Sequence, residues 1–205
     1  MRFKDTNEQV AKIVGTYLAS HGLGEETEAR RRRDRKKRRK PCGRGGPCRV
    51  FVTSAEFGGN LGGLVGADAI CQARAESAGL PGTYKAWLSD TTASPSTRFV
   101  RSTGPYRLLD GTRIADNWTD LTDKSLAVPI DVTEAGNPVA GSEHVWTYTD
   151  TDGTARSGAG HCGNWGSAAG EGEGGTHTTP SNDRWTQSGF ADCDTGAHLY
   201  CFQQR

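Results

Sequence analysis

Two carboxylates, Asp150 and Asp152, have the spacing in this chain that best suits a bound cation. They alternate in the segment Asp150-Thr151-Asp152-Gly153, and hard cations such as Ca²⁺ take oxygen ligands at alternating positions. The segment lacks the later ligands of an EF-hand, and Asp and Gly are also the residues that a hairpin turn requires. A hairpin turn is the favoured interpretation. Calcium at these two carboxylates is the alternative, and no other cofactor is predicted.

The remaining motifs with known chemistry are incomplete. Cys42 and Cys48 are separated by more residues than a zinc knuckle uses, and no second Cys/His pair lies nearby. Gly-x-Gly-x-x-Gly occurs at 158–163 and 170–175, but neither stretch follows a buried parallel strand, and acidic residues inside the second would repel a pyrophosphate. The chain has no Gly-x-Ser-x-Gly or His-Glu-x-x-His motif, and its five histidines are scattered. The sequence therefore predicts neither a metal site nor an enzyme.

The segment Asn182-Asp183-Arg184-Trp185 has the composition of a ligand-binding site. An aromatic ring beside amide and carboxylate groups can stack on a sugar or a peptide and hydrogen-bond to it. The segment lies near the end of a polar, Gly-rich stretch, residues 157–188, and loops of that length in compact domains are usually functional. We expect a carbohydrate or protein ligand at the loop of residues 163–186, bound by Asn182, Asp183 and Trp185. The alternative is that Trp185 is a core residue that closes the loop.

A run of positive charge precedes the Gly-rich part of the chain. Ten of the eleven residues from 30 to 40 are basic, and such a block repels itself and is expected to be disordered alone. It can bind nucleic acid, a sulfated or phosphorylated polysaccharide or lipid head groups in a salt-sensitive way, or it can be a solvated spacer. The anion-binding hypothesis assigns this role to Arg30, Arg31, Arg32, Arg33, Arg35, Lys36, Lys37, Arg38, Arg39 and Lys40.

The charge distribution divides the 205 residues into two parts. Residues 1–40 contain 13 Lys or Arg and 6 Asp or Glu, whereas residues 41–205 contain 12 and 18, so a net charge of +7 precedes a body of −6. We predict an N-terminal amphipathic helix in residues 1–24, a basic Gly/Pro/Cys linker in 25–48 and one domain in 49–205. The 28 glycines and single Met favour short elements and many turns over a helical bundle.

The cysteines indicate an extracellular or cell-surface compartment. Cys71, Cys162, Cys193 and Cys201 lie among turn-rich, Gly-heavy sequence, which is typical of secreted domains stabilised by disulfides. Four cysteines allow three pairings, and two more, at positions 42 and 48, can form a small local bridge. No window approaches the roughly 18 apolar residues of a membrane span, and no signal peptide is recognisable. Neither an oligomeric state nor a membrane span is predicted.

Periodicity predicts the elements that position these residues. An amphipathic helix is expected over residues 6–21, with Thr6 and Gln9 as a capping box and Gly22 and Gly24 as the stop signal. A second helix is expected over 66–79 with Cys71 pointing inward. Short strands are predicted at 49–53, 83–88, 106–109, 113–115, 144–149 and 198–202, with hairpin turns at Asp110-Gly111 and Asp152-Gly153.

Five segments, taken in order, resemble a known family. They are GLVGADAICQARAESAGLPGTYKAWLS (63–89), NWTDL (117–121), VWTYTDTDG (145–153), CGNW (162–165) and CDTGAHLYC (193–201). This order is similar to that of the endostatin-like domains of collagen-related proteins. It resembles more closely a bacterial family of uncharacterised secreted or surface domains with a C-type-lectin-like fold. The likeness covers about residues 49–205.

The resemblance implies an α+β, C-type-lectin-like domain: a twisted, mainly antiparallel sheet, a flanking helix, and two nested disulfides, Cys71–Cys201 and Cys162–Cys193. It also implies a non-enzymatic, extracytoplasmic binding role. The heparin-binding arginines and zinc-binding histidines of endostatin have no counterparts here. The calcium motif of sugar-binding C-type lectins is replaced by Gly189-Phe190-Ala191-Asp192.

Overall fold

The computed structural model describes residues 4–20, 40–180 and 182–205. Contacts divide the chain into two units, residues 1–40 and residues 41–205. None of the helices in the described ranges has the length and apolar character of a membrane span. The folded unit begins at Pro41, ahead of the predicted boundary at residue 49, because Cys42 and Cys48 are buried and bonded to each other. Residues 41–48 are therefore part of the domain and not of a linker.

The N-terminal unit contains one described element, helix α1, Lys4–Ser20. The sequence predicts this helix over residues 6–21. The helix begins at Lys4, two residues earlier than predicted, and the side chain of Thr6, on which the expected capping box with Gln9 depends, lies outside the described part of the chain. The predicted stop signal at Gly22 and Gly24 lies outside the described residues.

The second unit is a mixed α+β domain with two sheets. The strands are β1 Cys48–Val52, β2 Tyr84–Ala86, β3 Tyr106–Arg107, β4 Arg113–Ala115, β5 His144–Trp146, β6 Glu171–Thr176, β7 Gly189–Asp192 and β8 Tyr200–Gln203. The helices are α2 Gly63–Ser77, α3 Pro95–Arg98, α4 Trp118–Leu121 and a single turn, α5, Cys162–Trp165.

The five-stranded sheet has the order β2-β8-β1-β3-β4, with β1 and β3 parallel and the other neighbours antiparallel. The three-stranded antiparallel sheet has the order β5-β6-β7. The expected single sheet is thus replaced by two.

Helix α2 packs on the five-stranded sheet through small residues. Ala67, Cys71 and Ala75 recur every four residues and are fully buried, which lets the helix axis come close to the strands. Gly79 follows the helix with a φ of +67°, the left-handed conformation that ends many helices. The predicted helix with Cys71 pointing inward is confirmed.

The core is built around aromatic rings. Trp87 contacts four of them: its ring centroid lies 5.0 Å from that of Trp185, 5.4 Å from Phe202, 5.8 Å from Phe99 and 6.0 Å from Trp118. A second cluster on the other face of the five-stranded sheet includes Trp146, Trp165 and both of the longer disulfides. Large aromatic residues thus supply the apolar volume that this Gly-rich chain otherwise lacks.

Three disulfides join all six cysteines. Cys71 bonds to Cys201 and Cys162 bonds to Cys193, and the second pair lies within the first along the chain. The bridge between Cys42 and Cys48 precedes both, so the expectation of two nested bridges is wrong in number. The additional bridge closes the first turn of the domain.

The stretch of residues 157–188 is not the long polar loop that its composition suggests. It contains β6, the central strand of the second sheet, in which every residue after Glu171 is buried. A Cβ at Gly172 would lie 2.6 Å from the Trp146 ring and 2.7 Å from the Sγ of Cys162, and a Cβ at Gly175 would overlap the backbone of Trp185. The glycines are therefore required by a close approach of backbone to core and do not indicate a flexible segment.

The turn α5 is left-handed. Its four residues have φ angles of 46°, 60°, 56° and 62°, and only Gly163 among them adopts this region without a steric penalty. Several contacts compensate for the penalty. The backbone N–H of Asn164 donates to Nδ1 of His161, its side chain exchanges hydrogen bonds with Thr91, and the indole N–H of Trp165 donates to the carbonyl of Ser89. The bond from Cys162 to Cys193 fixes the start of the turn.

A partly buried ion pair between Arg156 and Glu173 attaches the preceding loop to β6. Glu173 is almost fully buried, and both of its carboxylate oxygens accept hydrogen bonds from Nε of Arg156 at 3.0 and 3.2 Å. The same guanidinium donates to Gln187 and lies 3.6 Å from Asp150. A buried carboxylate requires such a partner, so this contact determines where residues 150–156 lie.

The substitution Gly172→Ala tests the close packing of β6. The added methyl group would overlap Trp146 and Cys162, so we expect the free energy of unfolding to fall by about 1–3 kcal/mol. Gly166→Ala is the matched control. Its φ of −114° suits any residue, and its Cβ would meet only the carbonyl of Gly163 at 3.5 Å. Guanidinium unfolding of the oxidised proteins measures both changes, and equal stability of the two variants would contradict the packing described here.

Candidate functional site

A polar pocket of about 350 Å³ lies at one end of the three-stranded sheet. Its walls consist of hydroxyl side chains together with one carboxylate, one guanidinium and one imidazole. The lining residues are Ser142, Glu143, His144, Thr176, Thr178, Thr179, Arg184 and Ser188.

The strand register explains why these distant residues meet. His144 of β5 pairs with Thr176 of β6 in antiparallel register, so the residues before β5 lie beside those that follow β6. The backbone N–H of Thr176 donates to the carbonyl of Arg184, and that of Ser188 donates to Gly174. These bonds fold the segment between β6 and β7 back over the end of the sheet and form the far wall of the pocket.

Three histidines are grouped at this end of the sheet: His144 in the pocket wall, with His177 and His198 buried. The ring centroids of His177 and His198 are 5.8 Å apart. Nε2 of His177 lies 3.2 Å from the carbonyl oxygen of Ser142. Among the described residues, Nε2 of His144, Nδ1 of His177 and both ring nitrogens of His198 have no hydrogen-bond partner. This is an unusual concentration of unpaired buried nitrogens.

Burial keeps the imidazole rings of His144 and His177 neutral. Desolvation lowers the pKa of His144. Desolvation also lowers the pKa of His177, helped by the neighbouring His198 and opposed by the carbonyl of Ser142 and by Glu143. At pH 7 these two rings are therefore uncharged, and the formal charges in the pocket wall are those of Glu143 and Arg184.

Glu56 fixes the loop that carries the near wall. Its Oε1 accepts a hydrogen bond of 2.7 Å from the backbone N–H of Ser142 and lies 3.8 Å from Nε2 of His198. A Cβ at Gly196 would lie 2.8 Å from its other oxygen, and one at Gly141 would overlap the carboxylate. The two glycines thus let a carboxylate reach into the loop and hold Ser142 in the pocket wall.

The expected ligand-binding residues differ from those that form the pocket. Asn182 and Asp183 are exposed, Asn182 in the left-handed region at φ 60°, but neither lines the pocket. Trp185 is 1% exposed and packs against Trp87 and Tyr200, so the prediction that it stacks on a ligand is wrong. It is instead the core residue that closes this segment, which is the alternative interpretation of the sequence.

The carboxylates considered for calcium are engaged in a turn. Asp150 accepts hydrogen bonds from the backbone N–H of Thr151 and from Gln187, and Asp152 accepts from the N–H and hydroxyl of Thr154. Within the described ranges, no group of three or more His, Cys, Asp or Glu side chains could hold a metal ion. The hairpin-turn interpretation is therefore supported. Of the basic run, residues 30–39 lie outside the described residues, and Lys40 is exposed.

The sequence did not identify the pocket residues. Ser142, Glu143 and His144 precede or begin a strand that was predicted, but their partner strand β6 was interpreted as loop because three of its six residues are glycine. Unless the pairing of β5 with β6 is known, the spacing of His144 and His177 along the chain does not indicate that they lie at the same end of a sheet. The sequence predicts a site at residues 182–185, and Arg184 is the residue of that segment that lines the pocket.

Comparison of the chain with protein-family models and with curated proteins finds no match. The function must therefore be argued from the pocket and from the chemistry of its walls.

Proposed function

We propose that residues 41–205 form a non-enzymatic binding module and that the pocket binds a neutral, polyhydroxylated ligand, namely a carbohydrate. The observation that carries this proposal is the composition of the pocket wall. Among the described residues that line the pocket, five hydroxyl side chains are combined with one carboxylate, one guanidinium and one imidazole, and none is a large apolar side chain. The volume of about 350 Å³ is within the usual range of small-molecule sites.

The balanced charge of the described pocket wall favours a neutral sugar over an anionic or cationic ligand. Since the carboxylate of Glu143 and the guanidinium of Arg184 balance each other and His144 is neutral, the wall has no net charge to attract an anion or a cation. Each hydroxyl of a sugar both donates and accepts hydrogen bonds, so it matches a wall of Ser, Thr, Glu and Arg groups. Hydrogen bonds to the charged groups of Glu143 and Arg184 would be stronger than those to the neutral hydroxyls of the wall.

Two further features support an extracellular or cell-surface role. All six cysteines are paired, and disulfides persist in oxidising compartments. The five segments that resemble bacterial secreted domains with a C-type-lectin-like fold lie in the α+β unit of residues 41–205. The proposed fold family and compartment are thus consistent with a surface module that recognises glycans.

Glycan binding can be tested by array screening of the oxidised protein, followed by titration calorimetry with the best-bound glycan. We expect Glu143→Gln and Arg184→Gln each to weaken binding roughly tenfold or more, because each removes a charged hydrogen-bonding partner worth about 1.5–3 kcal/mol. The matched control is Arg113→Gln on β4, whose exposed side chain pairs with Asp116 outside the pocket. Unchanged affinity in both pocket variants would exclude this pocket. Failure of the wild-type protein to bind any glycan would contradict the ligand class.

Acid should destabilise the domain through His144 and His177. Because the pKa values of His144 and His177 are lowered in the folded protein, the unfolded chain binds protons more readily than the native state. Their contribution to stability is complete above pH 7. It declines as the pH falls below the ordinary histidine pKa of about 6.5 and continues to decline until the pH passes the lowered native values. We expect the free energy of unfolding of the double variant His144→Asn/His177→Asn to fall less steeply than that of the wild type as the pH is lowered from 8 to 5. Guanidinium unfolding at each pH measures both proteins. Parallel curves would rule out this role for the two rings.

A further inference from the structure

Helix α1 exposes most of the large apolar side chains found on the described surface. Six such side chains are exposed among the described residues, and four of them lie on this helix: Val10 at 56%, Ile13 at 69%, Val14 at 50% and Tyr17 at 60%. The other two, Val65 and Phe190, lie apart in the folded domain. A concentration of this kind marks an interaction surface.

The four apolar residues share one face of the helix. They follow the i, i+3, i+4, i+7 spacing, whereas Lys12 and Ala19 lie on the opposite side. A 17-residue helix is about 25 Å long, and this one contains charged residues, so it is suited to lie along a surface.

The charge of the same unit is strongly positive. Residues 1–40 have a net charge of +7, and ten of the eleven residues from 30 to 40 are basic. This run starts ten residues after the end of α1. An apolar helix face close in sequence to a polybasic run combines the two signals by which peripheral proteins bind anionic lipids.

We propose that the N-terminal unit docks onto an anionic lipid bilayer. The face formed by Val10, Ile13 and Val14 inserts at the boundary between headgroups and acyl chains, and the basic run binds the anionic headgroups. Each contribution alone gives weak, reversible binding, and together they give stable attachment. The residues of this surface are not among those that line the pocket, so the two proposals stand or fall independently.

Two other occupants of the apolar face are less favoured. A second copy of the helix would bring two units of +7 together, and a stable coiled coil needs three or four heptads where this helix has about two and a half. Nucleic acid or a sulfated polymer would use the basic run but would leave the apolar face exposed.

Vesicle co-sedimentation of the full chain tests the proposal. The probes are vesicles of phosphatidylcholine alone and vesicles of phosphatidylcholine with 30% phosphatidylglycerol. We expect binding to the anionic vesicles, little binding to the zwitterionic ones, and loss of binding when Arg30, Arg31, Arg32 and Arg33 are replaced by Gln. The double variant Ile13→Ser/Val14→Ser removes apolar area with little change in helix propensity, so we expect about tenfold weaker partitioning. Thr16→Ser/Ala19→Ser is the matched control and should partition like the wild type.

The outcomes are distinct. Wild-type partitioning by Ile13→Ser/Val14→Ser would show that charge alone binds the vesicles and would overturn the proposal. Self-association of the wild type in analytical ultracentrifugation, abolished by the same double variant, would assign the face to a second copy and would also overturn it. Circular dichroism checks that both double variants keep the helix, and an unchanged guanidinium unfolding midpoint checks that the domain of residues 41–205 is intact.

Discussion

The constraint on which the domain depends is the close approach of the backbone of β6 to the aromatic core. A Cβ at Gly172 would meet the Trp146 ring and Cys162, and one at Gly174 or Gly175 would overlap the backbone of Val145 or of Trp185. Three of the six positions of the strand therefore have no room for a Cβ. Without that approach, β5 and β7 would have no central strand between them, and the second sheet would not form. The pocket lies at the end of this sheet, so its geometry follows from the same packing.

The backbone of both pocket walls is held by residues that do not line the pocket. Trp185, the buried neighbour of Arg184 in sequence, anchors one wall, and Glu56 holds the backbone N–H of Ser142 in the other. Because the rings of His144 and His177 are neutral, the formal charges among the described residues of the pocket wall are those of Glu143 and Arg184. Preorganisation of this kind reduces the entropy that a hydrogen-bonding ligand loses on binding.

The sequence predicted the elements whose signal is local and missed those that depend on contacts between distant residues. The Ala-rich helix with its inward Cys71 and the strand at the start of the domain have clear periodicity, and both are present. The Asp-Gly hairpin turns follow from local backbone preference in the same way. Strand β6 was missed because its glycines carry the signature of a loop, although their cause is a tertiary contact. The prediction that Trp185 binds a ligand is wrong for a related reason. The composition of residues 182–185 suits a binding site, and only the packing of Trp185 on Trp87 shows that its ring points inward.

The bond between Cys71 and Cys201 closes a covalent ring that contains most of the domain, since the two residues are 130 positions apart. A protease that cuts the chain once anywhere within this ring leaves a single covalent molecule, with the helix that carries Cys71 still attached to the last strand. The inner bond between Cys162 and Cys193 gives the same protection a second time to the segment that contains β6 and Arg184. In an environment rich in proteases, a nicked molecule would therefore keep its strands in place and its pocket assembled.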